Sequence, residues 1–224
     1  MEVGGKVILA IYGAHGLAQE VYIIAKKINT LENRWKDFVF IDDINSIDQV
    51  QNKRVYTFEQ LLQVHSKDEL EVVIAVGEPA LREKLYDKVK AEKVNVATLI
   101  HPGVSIDETT TIKEGVIICE GTTITCNVTI GENSYIQPHA IIGHDIMIGK
   151  HVVIGPAVEI GGADTIGDRV YMGFHSGTKE KISIGNDTIC AAGAVVFQSL
   201  PEAVIAVGNP ARIARRNEER TVFK

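Results

Sequence analysis

The sequence predicts a two-part fold, in which a small α/β domain over residues 1–102 is followed by a solenoid over residues 103–224 that ends in a short tail. Two observations predict it. Apolar residues recur every six positions from Ile106 to Val196, and units of strand, glycine turn and helix precede them. A period of six suits neither a helical face nor an alternating strand, so the second part must coil repeatedly around one axis.

The composition allows a buried core and disfavours a general nucleic-acid binder. Hydrophobic residues make up 45% of the 224 residues, and the formal net charge is -6. Neutralising nucleic-acid phosphates needs clustered Lys and Arg, although a local patch can still hold a small anion. The N-terminal apolar run lacks a basic lead and a spanning length, so we expect no signal peptide or membrane segment. Cys119, Cys126 and Cys190 lack metal-type spacing, and we expect reduced thiols in a cytoplasmic protein.

The first unit has the form of a nucleotide-binding turn. Lys6 to Tyr12 ("KVILAIY") is an expected buried strand, followed by the loop Gly13-Ala14-His15-Gly16 and the amphipathic segment "LAQEVYIIAKKI". Glycines let backbone amides approach a phosphate, and a helix N-terminus favours an anion. Gly13, His15 and Gly16 are therefore candidate substrate-binding residues, with a plain strand-to-helix turn as the alternative.

Two further units extend the predicted sheet. The strand "DFVFIDD" ends in Asp42 and Asp43, about where an acidic residue would meet a ribose or base. The segment "EVVIAVGEPALREKLYDKVKAEKV" runs from a strand through a turn at Gly77 into a helix, and "NVATLIHP" supplies a last strand. Parallel sheets of this Rossmann-like kind place their ligand crevice at the carboxyl ends of the strands. Asp42, Asp43 and Gly77 therefore join the candidate substrate-binding residues.

The six-residue ladder defines the solenoid. Small or β-branched residues follow the axial residue by four positions, and glycine often follows it by one, as at Gly131, Gly143 and Gly149. We expect the axial residues to fill the core and the glycines to supply corner torsions that a Cβ forbids. Three hexads would make one triangular coil. Thr178 alone is polar in the axial slot, which contains Ile106, Ile112, Ile118, Ile124, Ile130, Ile136, Ile142, Ile148, Ile154, Ile160, Ile166, Met172, Thr178, Ile184, Cys190 and Val196.

The hexads and the ending "AAGAVVFQSLPEAVIAVGNPARIARR" resemble the left-handed parallel β-helix of the hexapeptide-repeat acyltransferases. The order of the two parts narrows the resemblance to the PglD/NeuD group of sugar acetyltransferases, which acylate nucleotide-linked amino sugars or sialic acids with acetyl-CoA. The stretches "IYGAHG", "FIDD", "IAVG" and "LIH" are similar to motifs of that group. The group's first loop usually reads "IYGASGHG", so the loop here is two residues shorter.

The resemblance implies that His144 is a general base supported by Asp145. His144 stands two residues after an axial Ile, at a corner, and "GHD" is similar to the group's catalytic "HE" or "HD". An attacking amine must lose a proton, and histidine titrates near neutral pH. In close relatives a histidine nine residues further on helps to bind the acetyl carbonyl. That position is Val153 here, so the oxyanion donor stays open, with a backbone amide as one possibility.

The resemblance also implies how acetyl-CoA and the subunits are arranged. CoA would lie in a groove between neighbouring β-helices, and the protein would be a homotrimer with active sites between subunits and no metal. The expected cofactor-binding residues are Gly162, Gly173 and Ala192. Three arginines near the C-terminus could meet the CoA phosphates, namely Arg212, Arg215 and Arg216.

Several alternatives stay open at this point. The acceptor atom could be a hydroxyl, as in an O-acetyltransferase acting on a sialic acid. A γ-type carbonic anhydrase uses the same β-helix with zinc between subunits; His139 and His144 have the spacing of two ligands, but the phase would put the second ligand at Gly149. A sugar-nucleotide-binding solenoid without catalysis is the non-enzymatic alternative. His15 could contact the acceptor sugar or cap its helix, and His139 or His175 could line a groove.

Overall fold

The computed structural model describes residues 7–223. The first domain is a sheet of six strands in the order β3-β4-β2-β1-β5-β6, parallel throughout except for the β3-β4 hairpin. Its elements are β1 (Val7–Tyr12), α1 (Gly16–Glu32), β2 (Trp35–Ile41), β3 (Gln49–Val50), β4 (Lys53–Tyr56), α2 (Phe58–Val64), a 3-10 turn (Lys67–Glu69), β5 (Leu70–Ile74), α3 (Pro79–Ala91) and β6 (Asn95–Val96).

Local chemistry explains these elements, including two that the sequence did not predict. Strand β1 is buried along nearly its whole length, as its continuous apolar run predicted, and Lys6 lies outside the described residues. Helix α3 begins at Pro79, where the missing N–H has no helical partner to lose. The unpredicted helix α2 begins with a capping box between Thr57 and Gln60. The β3-β4 hairpin was also unpredicted.

The segment "NVATLIHP" forms two strands rather than the single last strand that we expected. Asn95–Val96 pairs with β5 in the first domain, whereas β7 (Leu99–Ile100) pairs with the first coil of the solenoid. The chain therefore passes from one sheet to the other within this segment. No helix between residues 7 and 223 is long and apolar enough to cross a membrane.

The second part is a triangular parallel β-helix, as the hexads predicted. Its short strands are β8 (Thr111–Ile112), β9 (Ile117–Ile118), β10 (Thr123–Ile124), β11 (Thr129–Ile130), β12 (Tyr135–Ile136), β13 (Ile141–Ile142), β14 (Met147–Ile148), β15 (Val153–Ile154), β16 (Glu159–Ile160), β17 (Thr165–Ile166), β18 (Tyr171–Met172), β19 (Gly177–Thr178), β20 (Ser183–Ile184), β21 (Ile189–Cys190) and β22 (Val195–Val196). An antiparallel pair, β23 (Val204–Val207) and β24 (Arg212–Arg216), follows them.

Three sheets form the sides of this prism. The β8 face contains β8, β11, β14, β17 and β20, and the β10 face contains β10, β13, β16, β19 and β22. The docked face contains β7, β9, β12, β15, β18, β21, β23 and β24. From Ile112 onward each axial residue is the second residue of its strand, and most pair with the next axial residue on the same face, for example Ile130 with Ile148. The axial side chains fill the core, which confirms the predicted ladder.

The role that we predicted for the corner glycines is wrong. Positive φ values occur three positions after the axial residue, mostly at residues other than glycine, such as Asn133 (φ 54) and His139 (φ 62). Glycine is needed one position after the axial residue because neighbouring coils approach closely there. A Cβ on Gly131 would lie 2.5 Å from the carbonyl oxygen of Gly149. Coil-to-coil contact, and not backbone torsion, therefore requires these glycines.

The α/β domain packs on the docked face. Ile117, Tyr135 and Val153 point outward from that face and are buried in one cluster with Val21 and Ala25 of α1. In a triangular coil, each face lies opposite the corner between the other two. The corner between the β10 face and the β8 face therefore points away from the α/β domain of the same chain.

A buried arginine joins the two domains. Arg82 of α3 is 0% exposed, and its guanidinium donates to the carbonyl oxygens of Ile74, Val76 and Asn133 and to the side-chain oxygen of Asn133, at 2.7 to 2.9 Å. The Asn133 amide donates back to the Arg82 carbonyl oxygen at 2.9 Å. One side chain thus satisfies acceptors in both domains at once.

Candidate functional site

The histidine and aspartate predicted as a catalytic pair contact each other at an exposed corner. His144 Nδ1 lies 2.7 Å from Asp145 Oδ2, and both side chains are more than half exposed. Asn127, in the same position one coil earlier as Asp145, donates from Nδ2 to Asp145 Oδ1 at 2.9 Å. We did not predict a role for Asn127, although it lies 18 residues, one full coil, before Asp145. We call the corner that carries these residues, between the β10 and β8 faces, the His144 corner.

The local electrostatics fix the orientation of the imidazole. Hydrogen bonds from His144 and Asn127 hold the pKa of Asp145 below its usual range, so this carboxyl group is an anion near neutral pH. A neutral His144 that donates its Nδ1–H to this anion keeps a lone pair on Nε2. The arrangement can therefore accept a proton at Nε2.

The next coil lies directly against that nitrogen. A Cβ on Gly162 would lie 2.7 Å from His144 Nε2, and the Ala163 N–H donates to the His144 carbonyl oxygen at 2.8 Å. Gly162 is thus the point where the imidazole ring meets the next coil. Any molecule that reaches Nε2 must also approach the backbone of this glycine.

The predicted substrate-binding residues gather at the carboxyl ends of β1, β2 and β5. Gly13 accepts no side chain, because its φ is 131° and a Cβ would lie 2.7 Å from the Ala75 carbonyl oxygen. Its N–H donates to the Ile41 carbonyl oxygen at 2.9 Å, which brings Gly13 beside Asp42. Gly16 begins α1 with open space where a side chain would be, and Gly77 follows β5 close to Leu17. These residues therefore lie together at the strand ends, where the sequence predicts a ligand crevice.

His15 is exposed at this crevice and does not cap its helix. It occupies the N-cap position of α1 without a side-chain capping hydrogen bond, so the capping alternative is wrong. Its Nε2 lies 3.1 Å from Asn45 Nδ2 and 3.8 Å from Asp42 Oδ2. Asp42 also accepts the backbone N–H groups of Ile44 and Asn45 at 2.9 Å. His15 and Asp42 thus frame one polar end of the crevice.

The neighbouring carboxylate, Asp43, is already occupied by protein groups. It accepts hydrogen bonds from Tyr12 Oη, from Lys88 Nζ at 2.5 Å and from the Phe58 N–H at 2.8 Å. Burial alone would raise the pKa of Asp43, but the bonds from Lys88, Tyr12 and Phe58 together lower it below its usual value. These contacts give Asp43 a structural role at the start of α2.

We expect Asp43→Asn to lower the free energy of unfolding by about 1–2 kcal/mol at pH 7, because the charged acceptor of three donors is lost. A lowered folded pKa stabilises the fold above the unfolded value of about 3.9, and this stabilisation disappears as the pH falls through the folded pKa. The difference between wild type and variant, measured by urea unfolding, should therefore shrink as the pH falls below about 3.9 and through the folded pKa of Asp43. Asp48→Asn, at an exposed carboxylate in the same loop region, should change little; equal losses in both variants would contradict the assignment.

The three predicted cofactor-binding residues lie on two different corners. Gly162 belongs to the His144 corner, whereas Gly173 and Ala192 stack on the corner between the docked face and the β10 face. A Cβ on Gly173 would lie 2.6 Å from the Ala192 backbone nitrogen, so close coil contact by itself requires that glycine. The β10 face separates the two corners. The arginines 212, 215 and 216 are exposed on β24.

Three other histidines of the solenoid lie elsewhere on the prism. His139 and His175 are on the corner that carries Ala192, and His151 packs edge-on against Tyr86 of the α/β domain, at 5.4 Å between ring centroids. Val153 is buried under the α/β domain rather than beside His144. Within residues 7–223, no three His, Cys, Asp or Glu side chains are grouped so that they could hold a metal ion.

Two protein families match parts of the chain. Residues 8–89 match the PglD N-terminal domain, and residues 127–162 match the bacterial transferase hexapeptide (six repeats). These ranges fall within the α/β domain and the β-helix, respectively. No curated protein matches the chain.

Solved structures share the whole two-domain arrangement. Perosamine N-acetyltransferase from Caulobacter crescentus, in complex with CoA and GDP-perosamine, is 27% identical, with a TM-score of 0.85 over 95% of this chain and 97% of its own. WeeI from Acinetobacter baumannii AYE is 29% identical, with a TM-score of 0.87 over 92% and 99%. The acetyltransferase domain of PglB from Neisseria gonorrhoeae FA1090, in complex with acetyl coenzyme A, shares the fold at 23% identity and a TM-score of 0.86 over 94% and 100%.

One family match lies in the α/β domain and the other lies in the β-helix. The similarity to the solved structures extends over both domains. The chain therefore combines a region that matches the PglD N-terminal domain with bacterial transferase hexapeptide repeats, arranged as an α/β domain followed by a left-handed parallel β-helix.

Proposed function

We propose that the protein is an acetyl-CoA-dependent acetyltransferase that N-acetylates a nucleotide-activated amino sugar. The observation that carries the proposal is the His144-Asp145 contact at the corner where His144 Nε2 faces Gly162. The likeness to perosamine N-acetyltransferase, which was crystallised with CoA and GDP-perosamine, supports the donor and the class of acceptor. We also propose a cytoplasmic location, where acetyl-CoA and nucleotide sugars are made.

In the proposed mechanism, His144 Nε2 accepts the proton that the sugar amine loses as its nitrogen attacks the thioester carbonyl carbon. The new C–N bond forms, the carbonyl π electrons move to oxygen, and the C–S bond breaks as the intermediate collapses. The proton held on His144 can then pass to the departing thiolate of CoA. Asp145 orients the imidazole and stabilises its protonated form.

The backbone of Gly162 is our proposed oxyanion donor. No hydrogen bond from its N–H is found among residues 7–223, and the residue lies against His144. A preorganised backbone amide can stabilise the developing negative charge as well as a side chain can. The Gly162 N–H would thus take the role that a histidine has in close relatives, at the position that Val153 occupies here.

We infer that the complete site lies between subunits of a homotrimer. The crevice with Gly13, His15 and Asp42 belongs to the domain on the docked face, whereas His144 is on the opposite corner of the same chain. An acceptor held in one crevice therefore meets a His144 corner only if another subunit supplies it. Light scattering of the purified protein should give the mass of three chains, and a monomer at all concentrations would contradict the shared site.

Ligand-induced stabilisation tests the proposed donor and acceptor directly. A ligand at a hundred times its Kd stabilises the folded state by about 2.7 kcal/mol, which corresponds to a rise in Tm of roughly 5–10 °C for a chain of this size. We expect such a rise with acetyl-CoA and with one class among UDP-, GDP-, dTDP- and CMP-sugars. Stabilisation by acetyl-CoA without any response to the four nucleotide classes would favour a free small-molecule acceptor instead.

We expect Gly162→Ala to lower kcat at least tenfold while Tm changes by less than about 2 °C. The new Cβ would meet the end of the His144 side chain at 2.7 Å, so the ring can turn away without disturbing the fold. Gly143→Ala is the contrasting variant, because its Cβ would meet the Ile160 carbonyl oxygen at 2.9 Å and must strain the coil. Steady-state kinetics and thermal unfolding of both variants check this, and unchanged kcat in Gly162→Ala would contradict it.

A further inference from the structure

Two residues break the apolar pattern of the solenoid core close to the His144 corner. Asp164 is the only charged residue in the slot four positions after an axial residue, and Thr178 is the only polar axial residue. Asp164 is 1% exposed, and Thr178 lies on the next strand of the β10 face after β16. Burying a carboxyl group in such a core is costly, so its contacts require an explanation.

Asp164 makes one bond that a hydroxyl could make equally well. Its Oδ1 accepts the Ile182 N–H of the next coil at 2.8 Å. In the same slot elsewhere, Ser134 Oγ accepts the Val152 N–H at 3.1 Å. The second oxygen, Oδ2, is buried without a hydrogen-bond partner among the described residues. The repeat itself does not require this bond, because Val128, Val152 and Val158 fill the same slot without a side-chain acceptor. A carboxyl group is therefore not needed here for the fold.

Thr178 replaces a backbone acceptor with its side chain. After other axial residues, the corner N–H donates to a backbone carbonyl of the next coil, as Gly143 does to Ile160 at 3.0 Å. The Gly161 N–H instead donates to Thr178 Oγ1 at 2.9 Å. Burial raises the pKa of Asp164 above its usual value, and the bond from the Ile182 N–H, followed by the nearby Thr178 hydroxyl, opposes that rise.

The turn that these two residues hold is the one beneath His144. Gly161 is bonded to Thr178, and the Gly162 carbonyl oxygen accepts the Lys181 N–H at 2.9 Å. Asp164 closes the same turn through its bond to Ile182. The peptide units on either side of the Gly161–Gly162 peptide are therefore bonded to the next coil, and Gly162 itself lies against the imidazole.

We propose that Asp164 and Thr178 are positioning residues, which fix the Gly161–Gly162 turn so that the Gly162 N–H is correctly placed beneath His144. This inference rests on the proposed acetyl transfer. Polar groups that weaken a core are expected where function requires a fixed geometry. The pair touches neither substrate, and it acts through the backbone of the turn.

Thr178→Val tests the inference, with Thr178→Ser as the matched control that keeps the hydroxyl. We expect Thr178→Val to lower kcat about tenfold or more, with both KM values within about twofold, because a donor displaced by a fraction of an ångström stabilises the transition state less. Thr178→Ser should retain most of the activity. Hydrogen exchange of a peptide covering residues 160–165 should be faster in the Val variant than in the Ser variant.

The double variant Asp164→Val with Thr178→Val separates positioning from stability. It restores the apolar repeat, so its Tm should equal or exceed that of the wild type, while its kcat should be as low as that of Thr178→Val. An active wild type with an equally active Thr178→Val variant would overturn the inference and leave the proposed function intact. Equal losses in the Ser and Val variants would also overturn it. A wild type that transfers no acetyl group to any acceptor would instead overturn the proposed function, and the positioning role with it.

Discussion

His144→Asn should lower kcat by roughly 10²- to 10⁴-fold, the usual contribution of a general base. Asparagine cannot accept the amine proton at neutral pH, although it can keep a polar contact to Asp145. The side chain is exposed, so we expect little change in Tm and little change in KM for acetyl-CoA. Steady-state kinetics with saturating acceptor, together with a thermal melt, measure all three quantities.

The matched control is His139→Asn. His139 is also an exposed corner histidine, and its φ of 62° is one that asparagine tolerates, but it lies on a different corner. We expect its kcat to stay within about twofold of the wild type, as is usual for surface positions away from the chemistry. Comparable loss in both variants, or wild-type kcat in His144→Asn, would remove His144 from the mechanism.

Arg82→Met should strongly destabilise the folded protein. Methionine fills much of the volume but donates no hydrogen bond, so the carbonyl groups of Ile74, Val76 and Asn133 lose their buried donor. We expect a loss of about 3–5 kcal/mol in the free energy of unfolding and a fall in Tm of roughly 10 °C. Because Arg82 links α3 to the solenoid, the rate of amide hydrogen exchange should increase both in α3 and in the solenoid segment around Asn133.

Lys84→Met provides the control on the same helix. Lys84 is exposed, so we expect a change within about 0.5 kcal/mol, as is usual for surface positions. Urea unfolding of the two variants gives the comparison. If Arg82→Met were as stable as Lys84→Met, the buried arginine would not be the link between the domains.

The solenoid was predictable because its evidence is local and repeated. The axial residue of every hexad occupies an equivalent position in the core. The sequence alone therefore shows which residues face the core and which lie at the corners of a coil. The reason for the glycines was not predictable, because a single hexad does not reveal that Gly131 contacts Gly149 one coil away. The β3-β4 hairpin and α2 were missed since short elements in a polar stretch carry little periodic signal.

The candidate site was predictable only where its residues are neighbours in sequence. His144 and Asp145 are adjacent, so their contact follows from one corner. The occupation of Asp43 by Tyr12 and Lys88, and the burial of Val153 under α1, depend on packing between distant segments. The α/β domain lies opposite the His144 corner because it covers the docked face. The hexad pattern is the same on all three faces, so the sequence does not show which face is covered.

N-acetylation is tested by incubating the purified protein with acetyl-CoA and UDP-, GDP- or dTDP-linked amino sugars and identifying the products by mass spectrometry. We expect one acceptor to gain a single acetyl group on nitrogen, with release of one free CoA thiol per product, and His144→Asn to reduce this product in proportion to its kcat. Acetylation on a hydroxyl would correct the acceptor atom. Release of CoA without any acetylated sugar, or no turnover with the whole panel, would contradict the proposed function.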